Sequence, residues 1–198
     1  TTIPNGGHGL RVMRDDDPNV SVVQEPTVVR LSNGQWVCVV RTLNGYISIA
    51  TSEDKGRTWS DTRPLRNGPG GEIMLNPISP CPMYDLGDGR YLLLFYNNDG
   101  TANGGTHPAD YKNNRYPAYI TIGREIGDKD QPFKFGAPKV FCTSDGVPLG
   151  HYSRTEVATY TSLLQEDGTR VLFYPDRKRF LLGKYITDEW LADCDPGK

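Results

Sequence analysis

Four residues in this sequence have types and positions that suit chemistry on an anionic substrate: Glu25, Arg41, Arg115 and Tyr160. An arginine guanidinium grips a carboxylate as a planar, two-pronged fork, which lysine cannot reproduce. A tyrosine hydroxyl, with an ordinary pKa of about 10, reacts only where a neighbouring base takes its proton. A glutamate is a base of that kind. Singly, each has an ordinary reading: Glu25 before a proline as a loop residue, Arg41 as the end of a strand, Arg115 as part of a surface loop, Tyr160 as one of 11 tyrosines. What lifts them above that reading is the set of elements that must hold them.

Three stretches share one layout when aligned on their glycines: "PTVVRLSNGQWVCVVR" (26–41), "CPMYDLGDGRYLLLFY" (81–96) and "YTSLLQEDGTRVLFYP" (160–175). Each is an apolar run, then Asn-Gly or Asp-Gly, then a second apolar run, the pattern of a tight antiparallel hairpin. A third strand-like run follows each: "GYISIAT" (45–51), "PAYITIG" (117–123) and "RFLLGKYI" (179–186). Outer strands are expected near 63–66 and 138–142, and a helical turn at "DEWLAD" (188–193). Gly 22 and Pro 15 supply the turns that many short strands require. A tandem array of such meanders predicts an all-β chain of propeller blades, at about 20–67, 78–143 and 156–187 within one domain over 1–198, with a β-sandwich as the alternative. "RVM" (11–13) reads as an outer strand of an earlier blade.

Antiparallel pairing decides which positions can meet. The start of strand one, the end of strand two and the start of strand three lie at one end of each sheet. Glu25, Arg41, Arg115 and Tyr160 all fall at that end, and so does Arg177 in "YPDRKRF". The segment "SEDKGRTW" (52–59) falls at the other end, between strands three and four of the first unit. There Ser52 and Asp54 can satisfy turn N–H groups, Gly56 can take a left-handed conformation, and Trp59 can fold back between sheets.

The S-x-D-x-G-x-T-W spacing of that segment resembles the Asp-box (BNR repeat) of the sialidase, or neuraminidase, superfamily, and the resemblance extends over about 20–193. It implies a six-bladed sialidase-type β-propeller of which about three blades are present. "QEPTVVRLSNGQWVCVVR" resembles the family segment with a buried glutamate at one end and a carboxylate-binding arginine at the other, here Glu25 and Arg41. "NNRYPAYITIG" resembles the segment presenting another arginine of the triad, Arg115, and "YTSLLQEDGTRVLFYPDRKRFLLGKYITDEWL" the closing segment, led by a tyrosine. Tyr160 is then the implied nucleophile and Glu25 its base. A phenol suits a sialic acid because a carboxylate nucleophile would be repelled by the substrate's own carboxylate, and tyrosine nucleophiles are the known exception to the two-carboxylate rule for glycosidases. The family's first arginine and its acid/base aspartate have no match here, so the resemblance implies a partner in the missing N-terminal half of the propeller. It also favours export, to a secreted or periplasmic location. The expected activity is retaining removal of terminal sialic acid, or a related acidic sugar, from glycans. The alternatives are a non-catalytic glycan-binding propeller and a hydrolase of a different acidic sugar.

Residues outside the resemblance add binding candidates. Arg177 is one, by position alone. The Gly/Asn-rich loop 97–115 opens toward the same end, where Asn97, Asn98 and His107 can donate to sugar hydroxyls; an insertion without a role is the equal alternative. His151, Tyr152 and Glu156 precede Tyr160 and can reach the rim. A formal net charge of −2 gives no basic face for nucleic acid or a membrane surface, and no apolar run approaches the ~20 residues of a membrane-spanning helix. Cys38, Cys81, Cys142 and Cys194 lack ligand spacing, so no metal is expected, and the resemblance implies neither a metal nor an organic cofactor.

Overall fold

The computed structural model describes residues 5–7 and 9–197. Three antiparallel sheets follow one another along the chain. The first is β1 (Gln24–Arg30), β2 (Trp36–Arg41), β3 (Ser48–Ser52) and β4 (Arg63–Pro64), paired in that order. The second runs β5 (Met83–Gly87), β6 (Arg90–Phe95), β7 (Ala118–Glu125) and β8 (Phe133–Phe135), with β9 (Lys139–Cys142) also pairing β7. The third is β10 (Ser162–Glu166), β11 (Thr169–Asp176) and β12 (Phe180–Tyr185). A helical turn, α2 (Asp188–Leu191), follows, started by the Thr187 hydroxyl accepting from the Trp190 N–H at 3.1 Å; a shorter turn, α1 (Tyr111–Asn114), precedes β7.

The hairpin glycines do what the dipeptides predict. Asp88-Gly89 and Asp167-Gly168 both lie in the left-handed region, as a two-residue turn matched to strand twist requires. The first hairpin is wider: Gly34 is left-handed, but the loop closes from Gln35 O to Leu31 N. Strand β8 was not legible. Its "FKF" is short, and Phe133 and Phe135 are buried while Lys134 points out, a period of two over three residues. Residues 11–13 form no strand of their own. Met13 makes a single bridge to Ser21, and the segment folds back so that Leu10, Val12 and Val23 cover Cys38 and Val40 on the outer face of the first sheet.

The leading strands of adjacent sheets sit side by side. β1 contacts β5, and β5 reaches β10 through Tyr84 Oη to the Thr161 carbonyl (2.7 Å) and Gln165 Nε2 to the Asp85 carbonyl (2.7 Å). The sheets therefore fan about their first strands, and two cores fill the wedges between them. Val37, Val39 and Ile49 of the first sheet bury against Tyr91, Leu93 and Phe95 of the second. Leu92, Leu94 and Ile120 of the second bury against Leu172 and Tyr174 of the third. Alternation along β6 feeds both cores, which is why that strand is buried on both faces and reads as a continuous apolar run.

Segment 52–59 forms a side-chain-to-backbone clamp. Ser52 Oγ accepts from Gly56 N (2.9 Å), Asp54 Oδ1 accepts from Thr58 N (2.8 Å), and Asp54 Oδ2 accepts from Thr58 Oγ1 (2.7 Å). These bonds hold the Asp54 carboxyl down at about 2, because they favour its charged form. Gly56 has φ +80, and a Cβ there would stand 3.2 Å from the Trp36 ring. The Trp59 ring donates to the Gly56 carbonyl at 3.1 Å and packs, half-buried, on the cluster of Val12, Cys38 and Val40.

Candidate functional site

Strand register puts the nominated residues at one end of the sheets. Gln24 pairs with Arg41 across a bulge between Gln24 and Thr27, so Glu25 and Arg41 share the mouth of the first sheet. Arg115 enters β7, Tyr160 enters β10, and Arg177 follows β11. The bulge turns Glu25 out of the ladder at φ +52, a conformation that costs a side-chain-bearing residue energy and is retained only where the surroundings impose it.

Glu25 and Arg41 form one unit. Glu25 Oε2 lies 3.0 Å from Arg41 Nη1, an ion pair without hydrogen-bond alignment, and the other guanidinium edge holds Gln24 Oε1 through Nε (3.1 Å) and Nη2. Among the described residues no hydrogen bond joins the Glu25 carboxyl to the Tyr160 hydroxyl. Arg115 is buried, with Nε donating to Ser79 Oγ (2.9 Å), Nη2 to the Ile78 carbonyl (2.5 Å), and its guanidinium 5.5 Å from the Tyr111 ring centre. Tyr160 is 54% exposed at φ +65, with Lys178 Nζ 5.4 Å from its ring centre.

The segment 78–81 links these pieces. Its Ile78 and Ser79 hold Arg115, while two residues on, the Cys81 thiol feels both Glu25, which adds to the upward push of burial, and Arg41, which opposes it. On the other side stands Tyr96. Burial pushes its phenol well above the ordinary tyrosine value, Arg115 opposes this, and Glu156 and Tyr160 add to it. Tyr96 therefore lies within electrostatic reach of Arg115, Glu156 and Tyr160, and its hydroxyl donates to the Val157 carbonyl at 2.6 Å. Glu25 and Arg41 thus lie near Cys81, ahead of β5, and Arg115 and Tyr160 near Tyr96, which follows β6.

The remaining candidates are placed less directly. The guanidinium of Arg177 is committed to Asp176 in bidentate fashion (2.8 Å twice) and to the Val147 carbonyl (3.1 Å). It lines an open groove of about 330 Å³ with His151, Tyr152, Arg154, Lys178 and Arg179. Asn97, exposed at φ +50, lines a separate cleft of about 350 Å³ with Asn67, Met74, Phe95 and Phe135, between the first two sheets. The Asn98 amide is spent inside its own loop, on the Tyr96 and Asn114 carbonyls at 3.0 and 3.1 Å, and His107 Nδ1 accepts from Ala109 N at 3.0 Å. Glu156 is 1% exposed rather than on the rim, with Oε1 on Arg154 Nη1 at 2.8 Å and Oε2 unpartnered.

Sequence reasoning passed over Tyr96, Ser79 and Gln24. A signal for Tyr96 existed: it stands seven residues after Gly89, as Arg41 stands seven after Gly34. Ser79 and Gln24 carry no such mark, because a single hydroxyl or amide acquires its role only from the guanidinium that folding brings to it.

No protein-family model matches the chain, and no curated protein matches it. Solved structures do. The intramolecular trans-sialidase from Ruminococcus gnavus, in complex with oseltamivir carboxylate, is 20% identical with a TM-score of 0.57 over 91% of this chain and 35% of that one. A leech intramolecular trans-sialidase is 19% identical with a TM-score of 0.51, over 91% of this chain and 26% of that one. NanB bound to Optactamide is 14% identical with a TM-score of 0.54, over 85% of this chain and 24% of that one. The chain therefore spans between 24% and 35% of the length of these three structures. At such identities the likeness establishes the fold, a β-propeller of the sialidase type.

Proposed function

We propose that this chain carries part of the active site of a glycoside hydrolase acting on terminal sialic acid or a related acidic sugar. Arg41 and Arg115 take the substrate carboxylate, Tyr160 is the nucleophile and Glu25 its base. The observation that carries the reading is the Glu25–Arg41 ion pair at 3.0 Å at the mouth of the first sheet, with Arg115 held on Ile78 and Ser79 ahead of the second sheet and an exposed Tyr160 entering the third. The likeness in fold to two trans-sialidases and to NanB supports it.

The geometry suggests how the groups would work. The Nε–Nη2 edge of Arg41 rests on Gln24 Oε1, a neutral acceptor. A substrate carboxylate would displace that amide, because an ionised acceptor makes the stronger bond. Glu25 stays on Nη1 and keeps the fork oriented. For attack, the Tyr160 proton passes to Glu25 as the phenolic oxygen bonds to the anomeric carbon, and the glycosidic C–O bond breaks as the leaving oxygen takes a proton from solvent or from an acid group not among these four residues. Water then hydrolyses this aryl glycoside, its hydroxyl going to the anomeric carbon and its proton to solvent while Glu25 returns its proton to the Tyr160 oxygen, and the configuration is retained over the two displacements. This reading requires a direct Glu25–Tyr160 contact in the complex with substrate.

A second reading, a glycan-binding propeller without catalysis, is favoured by the Glu25 carboxyl being paired to Arg41. Turnover of a fluorogenic sialoside by the protein, with Tyr160→Phe as control, separates the two. Turnover abolished in the variant supports the proposal. Turnover that survives removes Tyr160 from its role, and binding of acidic glycans without turnover leaves the second reading.

A further inference from the structure

The turn between β11 and β12 departs from the chemistry of the other two-residue hairpins. Arg177 and Lys178 lie at φ +49 and +52, and Arg179 N donates to the Asp176 carbonyl at 3.0 Å, so both central positions are left-handed. Asp88-Gly89 and Asp167-Gly168 fill the equivalent turns with residue types that tolerate that region. Two long cationic side chains in their place carry strain, which persists only where the surroundings impose it and which clusters at functional sites.

Those surroundings are the groove of about 330 Å³ between this turn and the loop 149–154. Leu149 and Arg154 close the base of the loop, each N–H donating to the other's carbonyl at 2.8 and 3.0 Å, and an exposed Tyr152 stands at its tip. The two sides share one buried anchor. Glu156 holds Arg154 Nη1 at 2.8 Å and stands 3.9 Å from Lys178 Nζ, while its backbone carbonyl accepts from Arg177 N at 2.9 Å. Arg179 reaches across, since a Cβ at Gly150 would stand 3.3 Å from its Nη1. Four cations therefore line the groove, and among the described residues they pair with two carboxylates only, Glu156 and Asp176. Among those residues the Arg179 guanidinium and the Nε and Nη2 of Arg154 donate no hydrogen bond.

We infer that this groove binds an anionic group on the part of the glycan that leaves, either the carboxylate of a second acidic sugar or a sulfate ester. The inference rests on the reading of Tyr160 as nucleophile: Lys178 Nζ stands 5.4 Å from the centre of that ring, which sets the groove beside the bond that would break. Guanidinium forks with free donors suit the oxygens of either anion. Glu156 orients Arg154 and Lys178 from below, so no exposed acid faces the incoming group. The Tyr152 ring, with the Arg154 guanidinium 5.7 Å from its centre, offers an apolar face to the sugar that carries the charge.

Calorimetric titration tests this without turnover, on the protein carrying Tyr160→Phe. The probes are 3′-sialyllactose, whose leaving part is neutral, a lactose-sulfated 3′-sialyllactose, and an α2,8-linked sialic acid dimer. One charged probe should bind about 10-fold tighter than the neutral one, the worth of a single charged hydrogen bond, and the probe that does so names the source of the anion. Adding Lys178→Met and Arg179→Met, both at exposed positions, should abolish that preference and leave the affinity for 3′-sialyllactose as it was. Adding Lys178→Arg instead should preserve it. Equal binding of all three probes, or a preference that survives the double replacement, would overturn the inference and leave the proposed function standing. Binding of none would overturn both.

Discussion

The two ends of the sheets spend backbone strain differently. At the hairpin end most left-handed positions are held by Gly34, Gly56, Asp88-Gly89 and Asp167-Gly168, residue types for which that region costs little, with Lys55 in the 52–59 turn the exception. At the opposite end glycines such as Gly45 and Gly146 are joined by Glu25, Asn97, Ala158, Tyr160, Arg177 and Lys178. Two of those are the proposed base and nucleophile. Tyr160 and Ala158 pay a steric cost of the order of 1–3 kcal/mol each, which persists only where surrounding structure over-determines it. One end closes strands cheaply, whereas the other accepts strain to aim side chains.

The comparison can be broken in four ways. The largest effect expected is on chemistry: Tyr160→Phe should lower turnover by about 10³-fold or more while circular dichroism stays unchanged, since the loss of a nucleophile removes most of the rate enhancement. Next is Leu93→Ala, at the centre of the first core, which should cost about 2–5 kcal/mol in urea unfolding. Third, the two ends should answer glycine exchanges with opposite signs. Ala158→Gly, at φ +52, relieves strain and should stabilise by about 1 kcal/mol, whereas Gly34→Ala, at φ +87 with open space around it, should cost a similar amount. Equal signs would erase the distinction. Smallest is the acid response of the clamp. The Asp54 carboxyl is held at about 2, below its ordinary 3.8, so its contribution is complete above that ordinary value and is lost as pH falls through about 2. Asp54→Asn should flatten the stability profile over that window.

The hairpin end was the legible one. Asn-Gly and Asp-Gly dipeptides state their turn locally, and the Ser52–Trp59 grammar is satisfied almost wholly within its own eight residues. The position of Arg41 opposite Gln24 also follows from counting, because a hairpin fixes its own register. What could not be counted was contact between sheets. That Arg115 would be buried on Ser79 and that Glu156 would be enclosed depend on residues tens of positions away or on loop paths with no periodicity. Segment 11–13, read as an outer strand of an earlier blade, misled for the same reason: the surface it covers belongs to another element.

The bond from the Tyr96 hydroxyl to the Val157 carbonyl has a mechanical consequence. It ties the approach to β10 to the far tip of β6, while Ala158 N donating to the Pro175 carbonyl (2.9 Å) ties the same stretch to β11, so the reactive-looking ring at position 160 takes its bearings from a neighbouring sheet as well as from its own. Alignment is thereby inherited from core packing: any repacking that tilts β6 would swing that ring off target while leaving every hairpin intact.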